Sequence, residues 1–84
     1  MQVSFTDSAL EDLEGLPRRS QQRIVDRLEY LVSREDPLSL GKPLTGHPGY
    51  WRFRAGDYRI VAQSIGNTLL VHLIAKRDSV YKGL

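Results

Sequence analysis

Tyr50-Trp51-Arg52-Phe53-Arg54-Ala55-Gly56-Asp57-Tyr58-Arg59-Ile60-Val61-Ala62 is the stretch that decides how this chain folds. Apolar and basic residues alternate on both sides of a Gly-Asp pair. A two-residue turn with glycine first joins neighbouring antiparallel strands. Ala55 then faces Tyr58, Arg54 faces Arg59 and Phe53 faces Ile60. Side chains alternate across a strand with a period of two. One face of the hairpin therefore carries Trp51, Phe53, Ala55, Tyr58, Ile60 and Ala62, a core face. The other carries Arg52, Arg54 and Arg59. A slip of one residue would bury all of these arginines, so the register is strongly specified.

Working outward, the first strand is expected over Tyr50 to Ala55 and the second over Tyr58 to Ser64. Gly66-Asn67 marks the next turn, and Thr68 to Ala75 reads as a third strand. Before the hairpin, residues 37–49 hold Pro37, Gly41, Pro43, Gly46, Pro48 and Gly49, and read as a loop. Further back, Ile24, Val25, Leu28, Leu31 and Val32 form one apolar helical stripe, with arginine and glutamine opposite. Pro37 is expected to stop that helix, and Pro17 suits its first turn. A shorter helix precedes it, with Ala9, Leu10, Leu13 and Leu16 at helical intervals and Gly15 and Pro17 at its end. Thr6-Asp7-Ser8 supplies N-cap candidates, and Ser8 with Glu11 has capping-box spacing. Val3 and Phe5 alternate with polar residues in a short opening strand. The order β-α-α-β-β-β predicts an α+β domain over residues 1–84: an antiparallel-dominated twisted sheet with a two-helix hairpin on one face.

The chain has 84 residues, 40% hydrophobic and 26% charged, which suits one small domain. It has no cysteine, which excludes disulfides and cysteine-based zinc sites. The first six residues lack a basic region followed by an apolar run, so no signal peptide is expected. No apolar stretch approaches the ~20 residues of a membrane span. A cytoplasmic location without a membrane partner is the expectation. The net charge of +2 is unevenly spread: residues 1–36 carry −3 and residues 37–84 carry +5. Either a basic functional half sits beside a mixed-charge scaffold, or charges of this number fell unevenly by chance.

Directly opposed like charges weaken a strand pair, so Arg54 against Arg59 needs a reason. One is an anion site, since rigid guanidinium forks on a sheet grip phosphate bidentately. The other is a solvated face of long side chains. The acidic residues show no metal-ligand cluster and nothing groups a Ser, His and Asp into a triad; neither metal nor cofactor is expected. His47 reads as inert in its loop. His72, placed opposite Val61 on the arginine side, reads as structural. Trp51, Phe53 and Tyr58 read as core rather than as stacking platforms.

The chain resembles the RelE/ParE toxin superfamily. The resemblance rests on Leu40-Gly41-Lys42-Pro43-Leu44-Thr45-Gly46, on Tyr50-Trp51-Arg52-Phe53-Arg54-Ala55-Gly56-Asp57-Tyr58-Arg59-Ile60-Val61 and on Lys76-Arg77-Asp78-Ser79-Val80-Tyr81. The order of elements matches as well. The RelE branch of that superfamily cuts messenger RNA in the ribosomal A site, using the RNA's own 2′-hydroxyl and no metal. Carried over, the resemblance implies that Arg52 and Arg54 are the basic positions of the first hairpin strand. Arg59 is the arginine after the turn, and Arg77 and Tyr81 are the C-terminal arginine and tyrosine. Lys42 and Lys76, in the same segments, complete the expected phosphate-binding set. The implied partners are the ribosome, mRNA and a cognate antitoxin: small, DNA-binding, acidic or helical. Hairpin positions that are often lysine in this branch are arginine here, and Lys76 stands where many relatives have histidine.

Attack of a 2′-hydroxyl on phosphorus builds charge on the non-bridging oxygens, and Arg59 and Arg77 suit an oxyanion site for it. Arg52 and Arg54 would track backbone phosphates. Arginine stays protonated and so does not serve as the base. Tyr81 has three readings: a base whose phenolate is favoured by nearby cations, a platform that stacks on a nucleobase, or an anchor for the C-terminus. Two rivals stand beside the nuclease: the ParE branch, which poisons DNA gyrase, and a basic RNA- or protein-binding module without activity.

Overall fold

The computed structural model describes residues 1–77. Its elements run β1 (Gln2–Phe5), α1 (Asp7–Glu14), α2 (Arg18–Ser33), β2 (Lys42–Pro43), β3 (Tyr50–Ala55), β4 (Tyr58–Ile65) and β5 (Thr68–Lys76). The strands form one sheet in the order β1-β5-β4-β3-β2. Every neighbouring pair is antiparallel except β1 with β5; the helices carry the chain from β1 across to β2 at the opposite edge. The α+β class and the helix-covered sheet stand as expected.

The core lies between the helices and one sheet face. Ile24, Leu28 and Leu31 of α2 and Ala9 and Leu13 of α1 meet Phe53, Ala55, Ile60, Ala62, Leu69, Val71 and Ile74. Tyr58 belongs to the same cluster, and its hydroxyl reaches Ser20 Oγ at 3.4 Å. Leu10, expected on the apolar side of α1, is instead 43% exposed. An eight-residue helix has one narrow buried stripe, and Ala9 and Leu13, four apart, fill it.

Details of the ends depart from expectation. Thr6, not Ser8, caps α1: its hydroxyl accepts from the Ala9 N–H at 3.1 Å. Position 9 is alanine, so no reciprocal capping box forms. Gln21 closes the turn between the helices, its Nε2 donating to Leu16 O at 2.9 Å. The second helix ends at Ser33, before Pro37, where Arg34 turns extended. The Asp12 carboxylate accepts from the Ile74 N–H at 3.1 Å. That bond ties α1 to β5 beyond the residues paired with β1.

The 37–49 stretch is not only loop. Lys42 pairs with Arg52 and Pro43 with Trp51, adding a short edge strand. Two residues are too few to show alternation, and proline is tolerated because the strand is at an edge. Gly41 makes the approach possible. A Cβ there would lie 2.5 Å from Phe53 Cε1, and the Phe53 ring is 2% exposed. Gly41→Ala should therefore destabilise the fold by about 1–3 kcal/mol through overpacking, read as a lower urea midpoint at unchanged slope. An unchanged midpoint would show that the loop moves off Phe53 without cost.

Candidate nucleic-acid interface

The hairpin has the register its sequence dictates. Ala55 pairs with Tyr58, Arg54 with Arg59, Phe53 with Ile60 and Arg52 with Val61. Gly56, at φ 61°, supplies the positive φ of the first turn position. Arg52, Arg54 and Arg59 thus stand on the face away from the helices. Their pairing partner on the edge strand brings Lys42 to the same face, beside Arg52. These side chains line a concavity of about 240 Å³, together with Leu40 and Phe53. Lys42 and Arg54 are exposed, while Arg52 and Arg59 are half-buried. The concavity gathers an ammonium and three guanidinium forks from three strands of the sheet. That arrangement binds anions, with phosphate the natural match for bidentate arginine.

Helix α2 braces the hairpin from behind. Arg27 Nε donates to the Arg54 carbonyl at 3.1 Å. The Arg23 side chain lies against Gly56, where a Cβ would sit 2.6 Å from its Nη1. Neither arginine stood out in the sequence, because both sit on the polar side of an amphipathic helix where charge is ordinary.

The other sequence-expected residues divide. The Arg77 N–H donates to the Asp57 carbonyl at 3.0 Å, which fixes the Arg77 backbone beside the hairpin turn. Lys76 pairs with Tyr58, whose side chain is in the core. Its side chain therefore belongs to the helix side of the sheet, and the structure does not bring it to the arginines. Tyr81 lies outside the described residues. Among the described residues, no group of three or more His, Cys, Asp or Glu gathers as metal ligands. No helix among them is long and apolar enough to cross a membrane.

The open face continues past the arginines to His72 and His47, which the sequence reading took as structural and inert. Between Val61 and Ala62 the β4–β5 register shifts: Val61 pairs with Leu73, and Ala62 with Val71. His72 is thus the extra residue of a β-bulge rather than the partner of Val61. A bulge places two successive residues over one partner and re-aims a side chain. His72 Nε2 lies 3.0 Å from Gln63 Oε1, and its ring is 5.1 Å from that of Tyr50. The His47 ring meets Tyr50 edge-on at 6.2 Å. Tyr50 shares the face of Arg52 by alternation, so that half of the cluster was legible. The bulge left no such signal: Leu69, Leu70, Val71, Leu73 and Ile74 are all apolar, and only their burial shows the switch of parity from Leu69 and Val71 to Ile74.

Comparison with known proteins agrees with this architecture. A profile of the family described as ParE toxin of type II toxin–antitoxin system, parDE, matches residues 3–81. Toxin RelE3 of Methanocaldococcus jannaschii is 29% identical over 84 residues, covering 96% of each chain. The toxin–antitoxin complex RelBE2 from Mycobacterium tuberculosis contains a chain of similar fold. It superposes with a TM-score of 0.80 at 32% identity, covering 90% of each chain. The RelB–RelE antitoxin–toxin complex from Methanococcus jannaschii matches with a TM-score of 0.76 at 24% identity, covering 96% of this chain and 98% of that one. The family profile carries the ParE name and these relatives carry the RelE name, two branches of one fold. The chain belongs to the RelE/ParE toxin superfamily of type II toxin–antitoxin systems, with its relatives in the RelE-like branch.

Proposed function

We propose that this toxin is a ribosome-dependent endoribonuclease that cuts mRNA by attack of the RNA's own 2′-hydroxyl. The observation that carries the reading is the concavity lined by Lys42, Arg52, Arg54 and Arg59 on the open sheet face. In the step proposed, the 2′-oxygen bonds to phosphorus as the 5′-oxygen leaves. A base takes the 2′ proton, the leaving oxygen gains one, and the products are a 2′,3′-cyclic phosphate and a 5′-hydroxyl. Arg59, with Arg77 beside the turn, stabilises the charge on the non-bridging oxygens. Arg52, Arg54 and Lys42 hold the flanking phosphates. A cognate antitoxin neutralises the toxin, as the complexes formed by its structural relatives suggest.

Purified toxin added to ribosomes translating a defined mRNA tests the reading. Cleavage with a cyclic phosphate end is expected. Gyrase-linked DNA breaks instead would assign the chain to the ParE activity, and neither product would leave a binding module. In the same assay, single-turnover rates separate the roles of Tyr81. If its hydroxyl is the base, Tyr81→Phe falls as far as Tyr81→Ala. If its ring stacks, Tyr81→Phe keeps much of the rate and Tyr81→Ala loses about 1–3 kcal/mol of stabilisation. Parent rates in both variants would leave Tyr81 an anchor only.

A further inference from the structure

We propose that Tyr50, His72 and His47 form a platform on which an unpaired nucleobase of the RNA stacks, next to the phosphate-binding arginines; this rests on the RNA-directed reading above. Both helices lie on the other side of the sheet, so no described element covers these rings. Tyr50 and His72 are only half-buried, and His47 is exposed. The three rings form one cluster, with centroid distances of 5.1 Å between Tyr50 and His72 and 6.2 Å between Tyr50 and His47. Such a surface accepts any base, because every base has a π-face.

Position argues for a base rather than an apolar peptide. Tyr50 stands two residues from Arg52 on the same face of β3, about 7 Å along the strand. That is roughly one nucleotide step of an extended chain. A phosphate held in the cationic concavity thus leaves an adjacent base over Tyr50. The bulge is not what turns His72 to the open face; it adds Leu73 beside it. Without it, alternation from Val71 would still point His72 outward, but Leu73 would turn inward and Ile74 outward. With it, His72 and Leu73 share the open face, and Gln63 Oε1, 3.0 Å from Nε2, holds the imidazole against Tyr50.

Stacking and phosphate contact respond differently to salt, which supplies the test. The probe is a short single-stranded 2′-O-methyl oligonucleotide, which has no free 2′-hydroxyl for attack. Its control is an abasic oligomer of equal length that keeps every phosphate. Affinities are measured for the full-length toxin over a range of salt. The parent should prefer the base-bearing oligomer on the order of ten-fold. Tyr50→Ala should remove most of that preference with an unchanged salt slope, and Tyr50→Phe should keep it. His72→Gln retains an amide for Gln63 but loses the ring, and should weaken the preference. Arg54→Ala should instead weaken binding to both oligomers and flatten the salt slope by about 0.7. Arg54-dependent binding with the base preference intact in Tyr50→Ala overturns the platform alone. Failure of the parent to bind either oligomer overturns the platform, whereas the RNA-directed reading falls only if the ribosome assay above yields no mRNA cleavage. Unchanged melting of the variants separates these outcomes from misfolding.

Discussion

Arg59→Ala is expected to slow mRNA cleavage on programmed ribosomes by about a hundred- to a thousand-fold, the usual cost of one lost oxyanion donor. Arg59 is half-buried in the centre of the sheet and faces Arg54 across the hairpin. A cation held there by β4 does not need to reorganise when charge develops at phosphorus. The same substitution removes one of two opposed like charges, so the melting temperature should stay level or rise slightly. Arg59→Lys is the useful companion. It keeps the charge but loses the planar fork, and should recover only part of the rate if bidentate contact matters. Parent activity in Arg59→Ala, or a clearly lowered melt, would make Arg59 a structural residue instead.

Leu28→Ala should leave the chain largely unfolded at ambient temperature. Leu28 is 1% exposed and lies between Ile24 and Leu31, the other fully buried residues of α2. Truncating a buried leucine typically removes about 2–5 kcal/mol. A domain of this size has roughly 5 kcal/mol in total, so little would remain. Leu10→Ala is the internal control. Leu10 is 43% exposed, and surface changes usually stay within about 0.5 kcal/mol. Urea titration followed by Trp51 fluorescence would measure both. Similar midpoints for the two variants would mean that α2 is not the lid of the core.

The contrast between these leucines shows how far the sequence could be read. Both sit at helical intervals with apolar neighbours. In the longer helix the stripe repeats over several turns and fixes which side is buried. In α1 there are barely two turns, and Leu10 and Leu13 both fit an apolar arc until the packing against β5 selects one. The hairpin was legible to the residue, because a two-residue turn leaves no freedom in pairing and arginine tolerates only one face. The cap at Thr6 and the end of α2 at Ser33 were not, since neighbouring residues offered nearly equal local bonds.

The candidate site divides in the same way. Arg52, Arg54 and Arg59 were brought together on paper by alternation alone. Lys42 was named through the family resemblance, but only the edge strand explains how a lysine ten positions away in sequence comes to stand beside Arg52. Lys76 shows the converse. It adjoins Arg77 in sequence, yet its pairing with Tyr58 turns it to the helix side. Proximity in sequence says nothing about face when the period is two.

The sequence by itself therefore determined both helices, every strand but β2, their order and the cationic face of the hairpin, because each follows from local periodicity and turn stereochemistry. The tertiary structure decided the fifth strand, the closing of the concavity by Lys42 and the meeting of His72 with Tyr50 and Gln63. Those depend on contacts between segments far apart in the chain. Gly41 must come down on Phe53 before β2 can pair, and β4 must lie between β3 and β5 in this register before His72 stands beside Gln63 and Tyr50. Neither condition leaves a periodic trace, since each is set by the packing of one backbone against another.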